Sequence, residues 1–361
     1  MTPRTDHPTS SLRARGQHLR PIAVFVGRKL LGVIGTLFAL ATIVFFLTKL
    51  TPGDEAQVAA GEGASPEQVE IVRERLGLSG SLLEQYVHYL GRLIRGDLGT
   101  SSASAGSVAD AVFGVLPSTT ELVIVALLIT ITIAMPLAVF SAVRHAGAGD
   151  ALRRVLVIFA AGMPTFWLGL MLQNLVAAQW RLVPISGVKS TNISVPETTG
   201  SLLIDSLIAG SPIAFWDVLG HLVLPALVLS VPFIGQLYRV IRVELIRVLE
   251  REHITVARAS GISGWRLMRK HVLPQIANPA LLMIGIEFGG LFGGAILVES
   301  IFGRDGLGSF MTNALNQKDT ASVLGGVLVI GAIVVLTSLV VDIIQLIRDP
   351  RVRAEQIGGQ A

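Results

Sequence analysis

Residues 250–279 read Glu-Arg-Glu-His-Ile-Thr-Val-Ala-Arg-Ala-Ser-Gly-Ile-Ser-Gly-Trp-Arg-Leu-Met-Arg-Lys-His-Val-Leu-Pro-Gln-Ile-Ala-Asn-Pro, and they form the longest charged segment between two strongly apolar runs. This charge density predicts that the segment lies outside lipid. Its small residues Ala257, Ala259 and Ser260 would let a partner's surface approach the backbone closely, and Gly261 can adopt the left-handed conformation that ends a helix. We therefore expect a short helix that stops at Gly261.

A second short helix is expected directly after the first. Ser263 can cap its start, and the apolar residues Trp265, Met268 and Val272 recur at helical spacing. The cationic residues lie elsewhere around the same helix: Arg266, Arg269 and Lys270. A helix of this pattern is expected at the membrane surface with its cations among the lipid headgroups.

The whole chain has the composition of a polytopic membrane protein. Its 361 residues are 51% hydrophobic and only 15% charged, and the mean hydropathy is +0.65. The chain has no cysteine, which excludes disulfides, thiolate zinc sites and cysteine nucleophiles. The net charge of +4 comes from basic residues beside apolar runs, where they act as topology signals, so we assign no nucleic-acid role.

The pattern predicts an all-α integral membrane protein with six transmembrane helices and both termini in the cytoplasm, because every inferred inner segment is rich in Arg and Lys. The expected order is a tail at 1–29, a first span at 30–50, an extracytoplasmic helical insertion at 51–117, a five-span core at 118–347 with a cytoplasmic loop at about 250–274, and a tail at 348–361. The core spans are expected at 122–143, 155–178, 222–241, 280–298 and 323–347. A cleavable signal peptide is the alternative for the first apolar run, but that run is longer than a usual signal core.

The insertion at 51–117 has the sequence of small polar helices. It carries nine acidic residues and four arginines, and a net acidic segment fits the outer face of a membrane. Ser65 with Gln68 and Ser81 with Glu84 form two capping boxes, and each precedes apolar residues at helical spacing. A later stretch, 188–220, is rich in Ser, Thr, Gly and Pro and is expected to be a short outer excursion.

Three polar residues near the apolar spans are candidates for a translocation pathway: Glu287, Gln236 and Glu299. Glu287 costs a few kcal/mol to place within hydrocarbon, so it is expected to face a water-filled path or to serve only in helix packing. Asp342, close to the inner interface, is expected to pair with inner arginines. His221 and His271 lie at span boundaries and are interpreted as structural anchors, so no metal ligand or catalytic residue is assigned.

Three sets of residues resemble the B-type permease of ABC importers for dipeptides, oligopeptides and nickel. The first is Ala257, Gly261 and, after nine residues, His271-Val272-Leu273-Pro274, which resembles the EAA loop of these permeases. The second is the outer sequence Leu50-Thr51-Pro52-Gly53-Asp54 with Gly96-Asp97-Leu98-Gly99-Thr100-Ser101. The third is the span-three sequence Gly162-Met163-Pro164-Thr165-Phe166-Trp167.

The resemblance implies a type I importer permease in a bacterial cytoplasmic membrane. Its expected partners are a second, C-type permease, two ATP-binding subunits or domains, an extracytoplasmic solute-binding protein and membrane lipid. ATP and Mg would be bound by the ATPase partners, and no cofactor is expected in this chain. The resemblance assigns an ATPase-coupling role to one set of residues: Ile254, Ala257, Arg258, Ala259, Gly261, His271 and Leu273.

Two further features of the sequence concern catalysis and the type of subunit. The chain contains no Gly-x-x-x-x-Gly-Lys-Ser/Thr sequence for binding ATP phosphates, so it is expected not to be an enzyme. Pro274-Gln275 departs from the B-type pattern and is closer to the C-type permease. The alternatives are a permease for nickel or another small solute, an ion-driven secondary transporter with Glu287 as proton carrier, and a membrane-embedded enzyme, which lacks an obvious nucleophile pair here.

Overall fold

The computed structural model describes residues 10–348 except 51–53, 62, 76–77, 102, 105, 145–147 and 263. The regular elements of this part of the chain are helices. They are α1 (Ser10–Leu50), α2 (Glu55–Ala60), α3 (Pro66–Arg75), α4 (Leu82–Ile94), α5 (Val108–Val143), α6 (Ala148–Gly162), α7 (Thr165–Leu172), α8 (Leu202–Ile208), α9 (Pro212–Leu249), α10 (Glu252–Ala259), α11 (Gly264–Leu267), α12 (Leu273–Phe302), α13 (Leu307–Asn316) and α14 (Thr320–Arg348). Two π-helical turns, Gln173–Gln179 and Met268–Val272, continue α7 and join α11 to α12.

The described residues contain five helical segments that are long and apolar enough to cross a membrane. These are Gly27–Leu50, Val108–Val143, Pro212–Leu249, Gly264–Phe302 and Thr320–Arg348. A sixth crossing results if the bent pair Gly149–Gly162 and Thr165–Gln179 is taken as one span. The predicted all-α, six-span fold is confirmed on that basis.

The third span differs from the continuous helix expected over 155–178. Its two halves meet at an angle of 96°. Pro164 precedes α7 with an extended backbone, φ −60° and ψ 125°, and a proline has no N–H to continue a helix while it also disfavours helical geometry in the residue before it. The sequence Gly162-Met163-Pro164 therefore divides this span into two helices.

Several other helix boundaries lie outside the predicted limits. Helix α5 begins at Val108 rather than 122 and continues through Pro117, so the last ten residues of the expected insertion belong to the second spanning helix. Helix α9 begins at Pro212, with Ser211 capping its first turn, and it runs through Pro225 and Pro232 to Leu249. The stretch 188–220, which is expected to be a short outer excursion, thus includes α8 and the start of α9.

The bundle has two ends. We call the end where α1 stops and α5 starts the insertion side, and the end where α9 stops and α12 starts the loop side. Helices α5 and α9 form the most extensive helix pair, and α12 packs on both. A core cluster containing Leu122, Leu229 and Phe292 lies toward the insertion side, and a second cluster containing Tyr238 and Ile241 lies toward the loop side.

Glycines allow α12 to approach its neighbours closely. A methyl group added at Gly290 would lie 2.8 Å from the ring of Phe233 in α9, and one added at Gly289 would lie 3.0 Å from Val334 in α14. A methyl group at Gly293 would meet nothing within 4 Å. The glycine-rich sequence of α12 thus serves packing within the chain on two of its faces.

Candidate functional site

Helix α10 has the expected short length and a well-defined end. Ser260 is its C-terminal cap, and Gly261 follows with φ +83°. The N–H of Gly261 donates to the carbonyl of Arg258 at 3.1 Å, and the N–H of Ile262 donates to the carbonyl of Ala257 at 3.1 Å. These two bonds form a Schellman motif, in which glycine is favoured because the left-handed conformation strains other residues. The predicted helix end at Gly261 is confirmed.

Two contacts hold α10 against the membrane helices. Ile254 is fully buried and belongs to the loop-side core cluster with Tyr238 and Ile241. Gln275, in the first turn of α12, accepts a hydrogen bond from the Arg251 guanidinium at 2.9 Å, and its side-chain nitrogen lies 2.8 Å from the His253 ring nitrogen. Gln275 thus links the first residues of α10 to the first turn of α12 through polar contacts at the protein surface.

The outward face of α10 is composed differently from the sequence-based expectation. Ala257 is half-buried and packs against the loop-side core, so its small size serves the fold of this chain. The exposed residues of the helix are Glu252, His253, Thr255, Val256, Arg258 and Ala259. Val256 is 64% exposed although it is a large apolar residue. Sequence reasoning missed that Thr255 and Val256 lie on the accessible face.

The second short helix after α10 differs in detail from its prediction. Ser263, the expected cap, lies outside the described residues. Met268 and Val272 are buried and Trp265 is 65% exposed, and the helix changes to π-helical winding at Met268. The last two residues assigned to coupling, His271 and Leu273, are partly buried at the junction with α12.

A buried polar network lies beside this region on the loop side. The carboxylate of Asp150 in α6 accepts a hydrogen bond from Arg242 of α9 at 2.6 Å and another from Ser141 of α5. The Ser141 hydroxyl also lies 2.8 Å from the Tyr238 hydroxyl. Asp150 is only 1% exposed, so this network fixes three helices to one another. Its one signal in the sequence was an aspartate among arginines in an inner loop.

Glu287 is buried in the middle of α12. It is 1% exposed, and its carboxylate lies beside the main-chain N–H of Leu237 in α9. Neither oxygen accepts a hydrogen bond of standard geometry from the described part of the chain. Gln236, another pathway candidate, is the residue before Leu237 and is partly exposed. The structure therefore brings these two candidates to the same level of the α9–α12 contact.

Glu299 has different surroundings from Glu287. It lies twelve residues further along α12, a separation of about 18 Å at 1.5 Å per residue. One oxygen accepts from the Thr119 hydroxyl at 2.6 Å, and the other accepts from the N–H groups of Gly308 at 2.7 Å and Ser309 at 3.1 Å. The carboxylate thus caps the N-terminus of α13 and ties it to α5, a structural task that places it away from Glu287.

A second buried pair stabilises the same insertion-side region. Arg304, 1% exposed, donates to Glu121 at 2.9 Å, and the other Glu121 oxygen accepts from Ser201 and from the N–H of Leu203 at 3.1 Å. These bonds connect α5, the start of α8 and the turn after α12. Sequence reasoning did not identify this pair because its members are 183 residues apart.

Asp342 and His221 each have a polar partner within the chain. Asp342 pairs with Lys29 of α1 at 2.7 Å, so its described partner is a lysine rather than one of the inner arginines. His221 is 7% exposed, and its Nδ1 lies 2.9 Å from the Asp217 carbonyl, which agrees with a structural role, although it lies in the third turn of α9 and not at the boundary of the span.

Comparison with known protein families shows which family of membrane proteins this chain matches. Residues 134–354 match the family described as "Binding-protein-dependent transport system inner membrane component", and residues 22–139 match the N-terminal family of the same components. The chain belongs to this family. The predicted resemblance to ABC-importer permeases is thereby confirmed.

Several curated inner membrane components are similar to this chain over nearly their whole length. The dipeptide transport system permease protein DppB of Escherichia coli K12 is 34% identical over 333 residues, which are 91% of this chain and 98% of DppB. The di/tripeptide transport system permease protein DppB of Pseudomonas aeruginosa is 32% identical over 335 residues, 92% and 99% of the two chains. The glutathione transport system permease protein GsiC of Escherichia coli is 29% identical over 329 residues, 91% and 98%. The match thus includes both the α10 loop and the insertion at 51–117.

Proposed function

We propose that this inner membrane component forms half of the translocation pathway of an ATP-driven importer for di- or oligopeptides. The relatives named for dipeptides, di/tripeptides and glutathione support a peptide substrate over nickel or another small solute. The observation that carries the coupling part of the proposal is the geometry of α10. It is a short helix with an exposed face that is joined to α9 and α12 by buried and hydrogen-bonded contacts.

In this proposal the chain does no covalent chemistry. Two cytoplasmic ATPase subunits or domains bind ATP and Mg, and one of them receives α10 in a cleft. Closure of the ATPases displaces α10, and Ile254 and Gln275 transmit the displacement to the ends of α9 and α12. Since α9 packs along α5 and α12 packs on both, these spans move together and open the pathway toward a loaded solute-binding protein outside.

A second, C-type permease would supply the other half of the pathway. Helix α12 offers a face for it, because exposed residues follow helical spacing along the middle of the helix: Leu282, Ile286, Gly293 and Leu297. The open space at Gly293 permits close approach of a partner helix. Glu287 points away from these residues into the chain's own bundle, so in this conformation it is not at the surface offered to a second permease.

The coupling proposal is tested at Ala259, which is exposed and helical, so that substitution there introduces no backbone strain. A tryptophan at this position should overlap a closely fitted cleft at a cost on the order of 1 to 3 kcal/mol. Each 1.4 kcal/mol is tenfold in affinity, so docking should weaken about tenfold to a hundredfold. Ala259→Ser retains the small size and is the matched control.

The measurement is ATP hydrolysis stimulated by loaded binding protein in reconstituted complexes. Ala259→Trp and Gly261→Asp should lose stimulation or lose the ATPase subunits, whereas Ala259→Ser should match the wild type. Wild-type stimulation and transport in Ala259→Trp would show that α10 is an ordinary solvated loop helix.

A further inference from the structure

Helix α4 belongs to the insertion that the sequence places outside the membrane, yet it packs on the apolar part of α1. The Tyr86 hydroxyl lies 2.6 Å from the Thr42 hydroxyl. The Tyr86 ring contacts Phe45 with ring centroids 5.1 Å apart and Phe38 with centroids 6.2 Å apart, in edge-to-face geometry. All three α1 partners lie in the charge-free run at residues 30–47.

The depth of this contact follows from its distance to the ends of α1 and α14. Thr42 is eight residues from the end of α1 at Leu50, or about 12 Å. Leu40 packs against Gly331 of α14, and Gly331 is eleven residues from the start of that helix at Thr320, or roughly 17 Å. These distances place Thr42 and Leu40 well inside an apolar layer about 30 Å thick, and the Tyr86 hydroxyl lies there with Thr42.

Helix α4 presents a second apolar surface that is largely exposed in the described chain. Leu83 is 71% exposed, Val87 is 62% exposed and Ile94 is 87% exposed. These three residues lie on one side of the helix, next to the side that meets α1, while Glu84 and His88 lie on the side away from α1. On α1 itself, Ile43, next to Thr42, is 58% exposed.

We propose that α4 is an interfacial helix embedded in the lipid leaflet on the insertion side, with Leu83, Val87 and Ile94 covered by acyl chains. Its polar side, with Glu84 and His88, faces the headgroups and water, as in other amphipathic helices at membrane surfaces. Lipid is the occupant that the depth supports, since a water-soluble partner would have to enter the apolar layer to reach these residues. The insertion is then partly a membrane anchor beside α1.

The absence of native cysteine makes site-directed spin labelling a direct test. Single cysteines would be placed at Leu83 and Val87 on the apolar side and at Glu84 and His88 on the polar side. Ile43→Cys supplies a lipid-facing reference in α1. The labelled full-length protein would be measured in lipid nanodiscs, alone and with its copurifying subunits, by collision with oxygen and with a water-soluble nickel chelate.

Labels at Leu83 and Val87 should match the Ile43 reference, with high oxygen and low nickel-chelate accessibility, whereas labels at Glu84 and His88 should show a several-fold higher nickel-to-oxygen ratio. Equal nickel accessibility at all four positions would mean that α4 lies in water. Low accessibility to both reagents at Leu83 and Val87 would mean that protein covers them. Either result would overturn the proposal, and neither would bear on the coupling role of α10.

Discussion

Two glutamates in one helix show how little the residue type alone determines a role. Glu287 and Glu299 both lie in α12 and are both buried, but Glu299 accepts three hydrogen bonds while Glu287 accepts none of standard geometry from the described chain. The substitution Glu→Gln therefore has opposite expected effects at the two positions. Each variant is a matched control for the other.

Glu299→Gln should destabilise the protein. A glutamine side chain has one acceptor oxygen and one NH₂ group, so when its oxygen accepts from the N–H groups of Gly308 and Ser309, its NH₂ group faces the Thr119 hydroxyl and cannot accept from it. Leaving this buried donor without an acceptor costs about 1–3 kcal/mol. The measurement is thermal unfolding in detergent, where the midpoint should fall relative to the wild type. An unchanged midpoint would show that the hydrogen bond from Thr119 contributes nothing to stability.

Glu287→Gln should leave stability equal or higher and should retain transport. An uncharged amide costs less to bury in hydrocarbon than a carboxylate, and in this conformation Glu287 reaches no exposed surface. Peptide uptake and ATPase stimulation are the measurements. A loss of uptake with normal assembly and normal basal ATP hydrolysis would instead place this carboxylate on the translocation pathway, which is one of the two roles that the sequence leaves open.

At the scale of single elements, α10 depends on one side chain for its polar attachment to α12. Gln275→Ala should remove the contacts with Arg251 and His253 while leaving Ile254 buried. We expect faster amide hydrogen exchange in α10 and a partial loss of ATPase stimulation, since a loosely held helix transmits less displacement.

The control for this prediction is Gln317→Ala, because Gln317 is an exposed glutamine that follows α13 on the insertion side of the bundle. That variant should show wild-type amide hydrogen exchange in α10 and wild-type ATPase stimulation. If Gln275→Ala changes neither amide hydrogen exchange in α10 nor ATPase stimulation, then burial of Ile254 is sufficient to hold α10 in place.

The helices themselves were largely predictable, because apolar runs of about 20 residues and capping sequences are local properties of a chain. The capping box at Ser81 and Glu84 and the helix end at Gly261 were found as expected. The 96° bend at Pro164 was missed since proline alone does not tell a kinked span from a divided one. Polar pairs such as Arg304 with Glu121, or Lys29 with Asp342, depend on tertiary proximity and have no local signal.

The candidate site also has features that are local in the sequence and features that depend on the tertiary fold. Spacing identified α10 and its glycine terminator, but it could not show which small residues face outward. The fold assigns Ala257 to the core and leaves Ala259 accessible, since a helix only eight residues long must use one side to remain attached. Likewise, the helical spacing of the apolar residues of α4 is visible in the sequence, and only the contact with Thr42 reveals their depth.

For the whole molecule, the orientation in the membrane follows from the charges at its two ends. The loop side carries exposed cations on α9, α10 and the turn before α12, including Arg247, Arg258 and Lys270, whereas the insertion at 51–117 has an excess of acidic residues. Positive loops are retained in the cytoplasm. The loop side should therefore be cytoplasmic and the insertion side should face outward.

Two single-cysteine variants test this orientation in a chain that has no other cysteine. Glu70 is exposed in α3 on the insertion side, and Thr255 is exposed in α10 on the loop side. In intact cells an impermeant maleimide should label Glu70→Cys and not Thr255→Cys, and permeabilised cells should show labelling of both. Labelling of Thr255→Cys alone in intact cells would reverse the topology, and it would also remove the coupling role of α10, because a helix outside the cell cannot meet an ATPase inside.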